Sequence, residues 1–396
     1  MHFLYISDCF FPRVNGVSTS IDTFRKRLQA FGHRVSLVAP DYLDPGADDA
    51  DIHRVKAGKV WLDPEDRLMR AAALRSTLDG IEAVDLVHVQ TPFMAHRVGV
   101  RFARIRGIPV VATYHTFFEE YLYNYIPGLP RNLLRLAARS FSRRQCAELD
   151  ALIVPSTPML DVLRGYGITT PATVLPTGLN MDDFTSGNGP AFRHAQGIAE
   201  NRPVIVYVGR VAFEKNIEFL LDVTLAVRRT LPDVLLLIAG EGTAVPHLRH
   251  AAHARGLTDH VRFVGYLRRD GELQGCYKAA DVFVFASKTE TQGLVLLEAM
   301  ACGTPVVSTA HLGTREVLAG CDGALIASDD CHEFAQQALA VLQAPALRAQ
   351  LSAGALRHAA AWSDATLAER LAAYYREVIA AHGQPGDHLA QATPRA

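Results

Sequence analysis

Two cations and two acids stand at spacings that suit a phosphorylated ligand with a polyol at either end. Arg210 and Lys215 lie in Val208-Gly-Arg-Val-Ala-Phe-Glu-Lys-Asn-Ile217, directly after an apolar run. Charges on a short loop beyond a buried strand are poor packing choices but good diphosphate ligands. Further on, Gly293 opens Leu294-Val-Leu-Leu-Glu-Ala-Met-Ala301, which reads as a helix. The N–H groups at Gly293, Leu294 and Val295 therefore lack helical partners and sit at the positive end of the dipole, where an anion is favoured. Glu298, about one turn inside, can accept two hydrogen bonds from a vicinal diol such as a ribose. Glu290 precedes the helix on the loop, so the two carboxylates bracket the anion site. One would hold a ribose and the other a second polyol, which is the arrangement a nucleotide sugar requires.

The flanking elements have to hold these groups in place. Asp281-Val-Phe-Val-Phe-Ala286 is short and β-branched or aromatic enough to be a buried strand, and Cys302-Gly-Thr-Pro305 stops the helix with glycine and proline in the expected order. The same style runs through the chain. His2–Ser7, Arg34–Ala39, Asp85–Gln90, Pro109–Thr113 and Ala151–Pro155 are apolar runs separated by helical or loop stretches. Val204–Gly209, Val234–Ala239, Val261–Val264, Pro305–Ser308 and Ala324–Ala327 repeat the pattern. This alternation predicts an α/β protein with two parallel, doubly wound sheets, whose strand ends face a shared cleft. The expected division is 1–178, a linker 179–202 rich in glycine and polar residues, 203–361, a helix 362–382 packing back across the junction, and a tail 383–396.

In the first half, Asp8-Cys-Phe-Phe-Pro-Arg-Val-Asn-Gly-Val-Ser18 leads into a helix. Gly16 would let the backbone approach an anion or sugar, although a tight turn explains a lone glycine equally well. His115, in Val111-Ala-Thr-Tyr-His-Thr-Phe-Phe-Glu-Glu120, follows a strand end and can bond a sugar hydroxyl or stay a satisfied, partly buried imidazole. Glu119 and Glu120 beside it are weaker candidates.

The whole string Ser287–Val307, with the Gly-Arg…Glu-Lys-Asn segment and the Asn15-Gly16 loop, resembles the E-x7-E family 4 of retaining glycosyltransferases. The resemblance implies the two-domain GT-B fold and transfer of a hexose from a nucleoside diphosphate sugar with the anomeric configuration kept. It implies that Gly16 reaches toward the donor diphosphate and that His115 contacts the transferred sugar. The set expected to act in catalysis is thus His115, Arg210, Lys215 and Glu290. Gly16, Arg210, Lys215, Glu290, Gly293, Leu294, Val295 and Glu298 would bind the donor. The base would lie near Val264-Gly-Tyr266, held through the backbone. No cofactor and no metal are expected, the two cations taking the place of a divalent ion.

The helix pattern Arg131–Arg144 carries five arginines and no acid. At about 100° per residue, Arg131, Arg135, Arg139 and Arg143 fall on one side, and Leu133, Leu134, Ala137 and Phe141 on the other. That is the pattern of a membrane-surface helix, or of a helix packed on its domain with a solvated arginine face. Tyr121, Tyr123 and Tyr125 precede it. His115-Thr-Phe-Phe-Glu-Glu-Tyr121 followed by Tyr-Ile-Pro127 resembles the glycolipid-forming branch, in particular the diacylglycerol α-glucosyltransferases, and implies a lipid acceptor. A GDP-mannose-dependent α-mannosyltransferase shares every motif. A nucleotide-sugar epimerase and a catalytically silent binding partner are the rivals from other classes.

Composition agrees with a folded enzyme of ordinary size: 396 residues, 49% hydrophobic and 20% charged. A net charge of −1 gives no global field for nucleic acid, so none is expected as partner. Six scattered cysteines without paired spacing, a start without signal-peptide character, and no apolar run long enough to span a bilayer place the expected protein in the cytoplasm, peripheral to the membrane's inner face.

Overall fold

The computed structural model describes residues 1–42, 48–59, 67–115, 117 and 131–382. The first half contains β1 (His2–Ile6), β2 (Arg34–Pro40), β3 (Ile52–Val55), a small antiparallel ribbon of β4 (Ala57–Lys59) and β5 (Arg67–Met69), then β6 (Leu86–Val89), β7 (Val110–Thr113), β8 (Ala151–Val154) and β9 (Ala172–Val174). The second half contains β10 (Val204–Val208), β11 (Leu235–Ala239), β12 (Val261–Gly265), β13 (Val282–Phe285), β14 (Val306–Thr309) and β15 (Ala324–Ala327). Each strand expected from the apolar runs is present. The edge strands β3 and β9 and the β4–β5 ribbon are additions that short, mixed sequences gave no periodicity to announce.

The first sheet runs β3-β2-β1-β6-β7-β8-β9 and the second β12-β11-β10-β13-β14-β15, with parallel pairing throughout. Strand order therefore reverses between β1 and β6 in one sheet and between β10 and β13 in the other. Those are the two points where a doubly wound sheet leaves a crevice at its carboxyl edge. Full burial on both faces explains why the strands read as continuous apolar runs. In β1 the alternate residues separate cleanly: Leu4 and Ile6 enter one core and Phe3 and Tyr5 the other.

The second of these cores is closed by the carboxyl-terminal helix, Asp364–His382, which returns from the second half and buries Leu371, Ala372, Tyr375 and Val378 against the first sheet. The Tyr375 hydroxyl lies 2.8 Å from that of Tyr5 and 2.5 Å from Nδ1 of His88, and Arg27 bonds Asp364 at 2.6 Å. Part of the glycine-rich stretch expected to link the halves is folded onto the second one: Phe184, Phe192 and Ile198 are buried in its core. The two chain crossings run side by side. The Leu179 N–H donates to the Trp362 carbonyl at 2.8 Å, and the Asp364 N–H to the Leu179 carbonyl at 3.1 Å.

Gly178 sits where these crossings touch. A Cβ there would come within 2.5 Å of the Asp364 Cα, with backbone on both sides and nothing flexible to yield. Gly178→Ala should therefore destabilise the protein by about 1–3 kcal/mol, read as a lower urea midpoint with an unchanged slope.

Candidate active site

The switch point of the second sheet assembles the charged set. The loop after β10 carries Arg210 and, in a short 3-10 turn Phe213–Lys215, Lys215. Asn216 closes that turn in the left-handed conformation, at φ 54°, and its Nδ2 donates to the Ala286 carbonyl beyond β13 at 3.2 Å. The two loops are thereby stapled together. Lys215 forms an ion pair with Glu290, and Arg210 with Glu214, whose side chain is buried. The Glu290 carbonyl is held in turn by the Gly313 N–H at 2.9 Å.

Gly293 begins the helix Leu294–Ala301 at φ 97°, a conformation that favours glycine, and a Cβ there would meet Leu296 at 2.8 Å and Thr314 at 2.9 Å. Both backbone and packing demand this residue. Gly16 differs. Its φ is not in the left-handed region, and a Cβ on it would meet no described atom within 4 Å. The turn does not require it, and the space it leaves belongs to the cleft. Its helix, Gly16–Ala30, is opened by Asn15, whose side chain accepts from the Val17 and Ser18 N–H groups at 3.0 and 2.9 Å while Ser18 returns a bond to the Asn15 N–H.

Gly16, His115, Arg210, Lys215, Glu290, Gly293, Leu294, Val295 and Glu298 all line one cleft of about 870 Å³. That volume suits a nucleotide-sized ligand. The structure thus brings together residues that the sequence spreads over nearly three hundred positions. Tyr266 and Leu267 line the same cleft.

Three groups escaped the sequence reading. Arg269 is the first: it forms an ion pair with Glu298, which is 1% exposed and also accepts from the Tyr277 hydroxyl at 3.0 Å. Burial opposes the Arg269 charge, yet Glu298 beside it holds the guanidinium above its ordinary pKa. A carboxylate has about four lone-pair directions, so two remain for a diol. The cation in Arg268-Arg269 after a strand end, like that of Arg210, was the available signal. Gln90, buried at the end of β6, faces His115 with its Oε1 2.9 Å from the imidazole Nε2. With the proton on Nε2, Nδ1 is left as an acceptor. Burial pushes the His115 pKa down to about 4, so the ring is neutral near pH 7. Asp8, third, accepts from the Thr91 hydroxyl at 2.8 Å and from the Ala95 N–H at 3.1 Å, where a helix begins without a cap of its own. Burial raises its carboxyl to about 6, against those hydrogen bonds.

The arginine-rich helix, Arg131–Cys146, is not part of the cleft. Its faces also differ from the simple two-sided pattern. Leu134, Ala138 and Ser142 are buried, with Ser142 2.9 Å from the Tyr114 hydroxyl, whereas Leu133, Leu136 and Phe141 are 55%, 64% and 39% exposed and Ala137 joins them outside. The inner face is thus Leu134 with two small residues, and the other large apolar side chains are left outside. Arg135 and Arg143 are exposed, and Arg139 stacks over the Tyr166 ring at 5.1 Å. The side chain of Arg131, and Glu119, Glu120, Tyr121, Tyr123 and Tyr125, lie outside the described residues.

An Asp-x-Asp triplet does occur, Asp49-Ala50-Asp51, but it lies away from the cleft. Asp49 pairs with Arg25, and Asp51 with Arg34 at 3.0 Å. No helix among the described residues is long and apolar enough to cross a membrane.

Comparison with known proteins places the chain in a family. The model for group 1 glycosyl transferases matches residues 189–358, and that for glycosyltransferase family 4 matches residues 14–183. The chain is 30% identical over 318 residues to the alpha-monoglucosyldiacylglycerol synthase of Streptococcus pneumoniae, covering 76% of this chain and 69% of that one. It is 26% identical over 388 residues to the GDP-mannose-dependent alpha-mannosyltransferase of Mycolicibacterium smegmatis, covering 96% and 98%. The solved structure of Anabaena HepE in complex with UDP-glucose superposes with a TM-score of 0.74 over 95% of this chain and 100% of that one, at 18% identity. The chain belongs to family 4 of the glycosyltransferases, with the GT-B fold, and is a hexose-transferring enzyme.

The depressed His115 pKa has a consequence for stability. The unfolded chain, with histidine near 6.5, binds more protons than the folded one between about 6.5 and 4. The contribution of His115 is therefore full above pH 6.5 and is lost as pH falls toward 4. Urea midpoints measured across that window should drop less steeply in His115→Gln than in the wild type.

Proposed function

We propose that the protein transfers a hexose from a nucleoside diphosphate sugar resembling UDP-glucose to a hydroxyl of a membrane lipid such as diacylglycerol, forming an α-glycosidic bond with retention. The observation that carries this reading is the convergence of Arg210, Lys215 and the helix start at Gly293–Val295 on one side of the cleft, with Gly16 and His115 lining the other. The hard step is departure of the nucleoside diphosphate, which gathers negative charge as the sugar becomes oxocarbenium-like. Arg210 and Lys215 are held in place by Glu214 and Glu290, so little reorganisation is needed when the diphosphate arrives. In this scheme no metal is required, Glu298 takes the ribose, and Glu290 takes hydroxyls of the sugar. His115 offers its free nitrogen as an acceptor to another sugar hydroxyl. The acceptor attacks from the face the diphosphate leaves, and a diphosphate oxygen takes its proton.

The lipid acceptor is supported by the exposed Leu133, Leu136 and Phe141 on a helix rich in arginine, a surface suited to the interface of an anionic membrane, and by the pneumococcal relative's name. The mycobacterial relative, matched over nearly its full length, favours the second reading, a GDP-mannose-dependent α-mannosyltransferase acting on a glycolipid or glycan. Incubating the enzyme with UDP-glucose or GDP-mannose and a total lipid extract, followed by mass analysis, separates the two. An epimerase would convert the donor with no acceptor present.

Lys215→Ala should lower kcat by roughly 10²–10³; a loss under fivefold in a folded variant removes Lys215 from the chemistry. Charge reversal at Arg135, Arg139 and Arg143 should weaken co-sedimentation with anionic vesicles at low salt and leave transfer to a detergent-dispersed acceptor near wild type.

A further inference from the structure

The loop that carries Glu290 also carries a buried amide at the wall of the cleft to which the proposed transfer scheme gives no part. Gln292 is 5% exposed and places both ends of its side chain on one residue of the first chain crossing. The Thr177 N–H donates to Oε1 at 2.8 Å, and Nε2 donates to the Thr177 carbonyl at 2.7 Å. The amide thus pairs with the backbone much as a neighbouring strand would, and a shift of one residue would leave both bonds unmade. The Thr177 hydroxyl continues the connection to the Ser20 hydroxyl at 2.7 Å, one turn into the helix that opens at Gly16. Thr177 and Ser20 are 4% and 3% exposed, so water offers none of them an alternative partner.

On its other side Gln292 is followed directly by Gly293, the start of the second anion-facing helix. A single buried relay therefore ties the Gly16 helix of the first half to the Gly293 helix of the second. The adjoining Thr291 adds weight: its hydroxyl donates to the His115 carbonyl at 3.0 Å, and its own carbonyl accepts from the Ser156 hydroxyl at 2.6 Å. The segment between Glu290 and Gly293 is pinned to the opposite domain at several points, and Gln292 grips the chain where the halves join.

We propose that Gln292 is a positioning residue that sets the separation of the two halves of the donor site. It holds the first-half wall at the distance at which the sugar of a donor bound at the Gly293 helix meets it. The inference rests on the donor reading given above. It does not require Gln292 to touch the ligand. A ligand held by the second half alone would still bind, but the sugar would be misplaced relative to the first half, and small errors of placement cost turnover more than affinity.

The test uses the full-length enzyme with whichever of UDP-glucose and GDP-mannose the wild type turns over. Nucleoside diphosphate affinity is measured by calorimetry, and transfer is measured per folded molecule. Gln292→Ala should leave the affinity within about threefold and lower kcat by about 10–100-fold. Gln292→Glu should be as damaging, because it sets a carboxylate against the Thr177 carbonyl. Should these fold poorly, Thr177→Val keeps the backbone pair and removes only the Ser20 link. It should lower kcat by a smaller factor, and the loss should not add to that of Gln292→Ala. Turnover per folded molecule within twofold of wild type in Gln292→Ala, or in Thr177→Val where only that variant folds, overturns the proposal. So does a fall in affinity as large as the fall in kcat. A wild type that binds neither UDP nor GDP instead sinks the donor reading itself.

Discussion

Lys215 and Glu290 meet across the point where strand order reverses in the second sheet, and the rest of the site depends on that meeting. A lysine beside a buried sheet edge needs a counter-charge, and a glutamate in a narrow cleft needs one too. Each supplies it to the other from a different loop. Each loop must therefore be held against the other, which the Asn216 bond to Ala286 and the Gly313 bond to Glu290 accomplish. Arg269 with Glu298 repeats the pairing between separate elements, while Arg210 pairs with Glu214 within its own loop. The cations of the cleft are in place before any ligand arrives, each resting on an acid.

The first domain adds a neutral imidazole to a wall that also carries Asp8, Arg13 and Arg67. His115 is held uncharged by burial and oriented by Gln90, so it can accept a hydrogen bond from a hydroxyl. Gly16 contributes only space and backbone. The carboxyl-terminal helix, locked by Tyr375 onto Tyr5 and His88, ties the chain returning from the second domain to the first.

Much of the fold is legible along the chain because parallel strands buried on both faces are written as uninterrupted apolar runs, and Val204–Val208 or Val282–Phe285 can hardly be anything else. The anion-facing helix is equally plain, since Gly293 and the Cys302–Pro305 stop mark both of its ends. Where elements are short or packed by context, the pattern fails. The edge strand Ala172–Val174 has too few residues to show a period. Leu133 and Leu134 are neighbours of the same type, yet one is exposed and the other buried. Nothing local distinguishes them; the surface beneath the helix chose Ala138 and Ser142 as its contact.

What the residues determine alone is the chemistry offered and the local frame for it: cations after one strand, a glycine-opened helix after another, acids on either side of it. These follow from charge, backbone conformation and short-range periodicity, all properties of a few consecutive positions. Tertiary structure decided which groups meet. Arg269 reached Glu298, Gln90 reached His115, and Gln292 reached Thr177 and through it Ser20. Those partners are set by how two sheets and a returning helix pack together. Burial then makes each pairing obligatory, because a polar group shut away from water must find its partner within the fold.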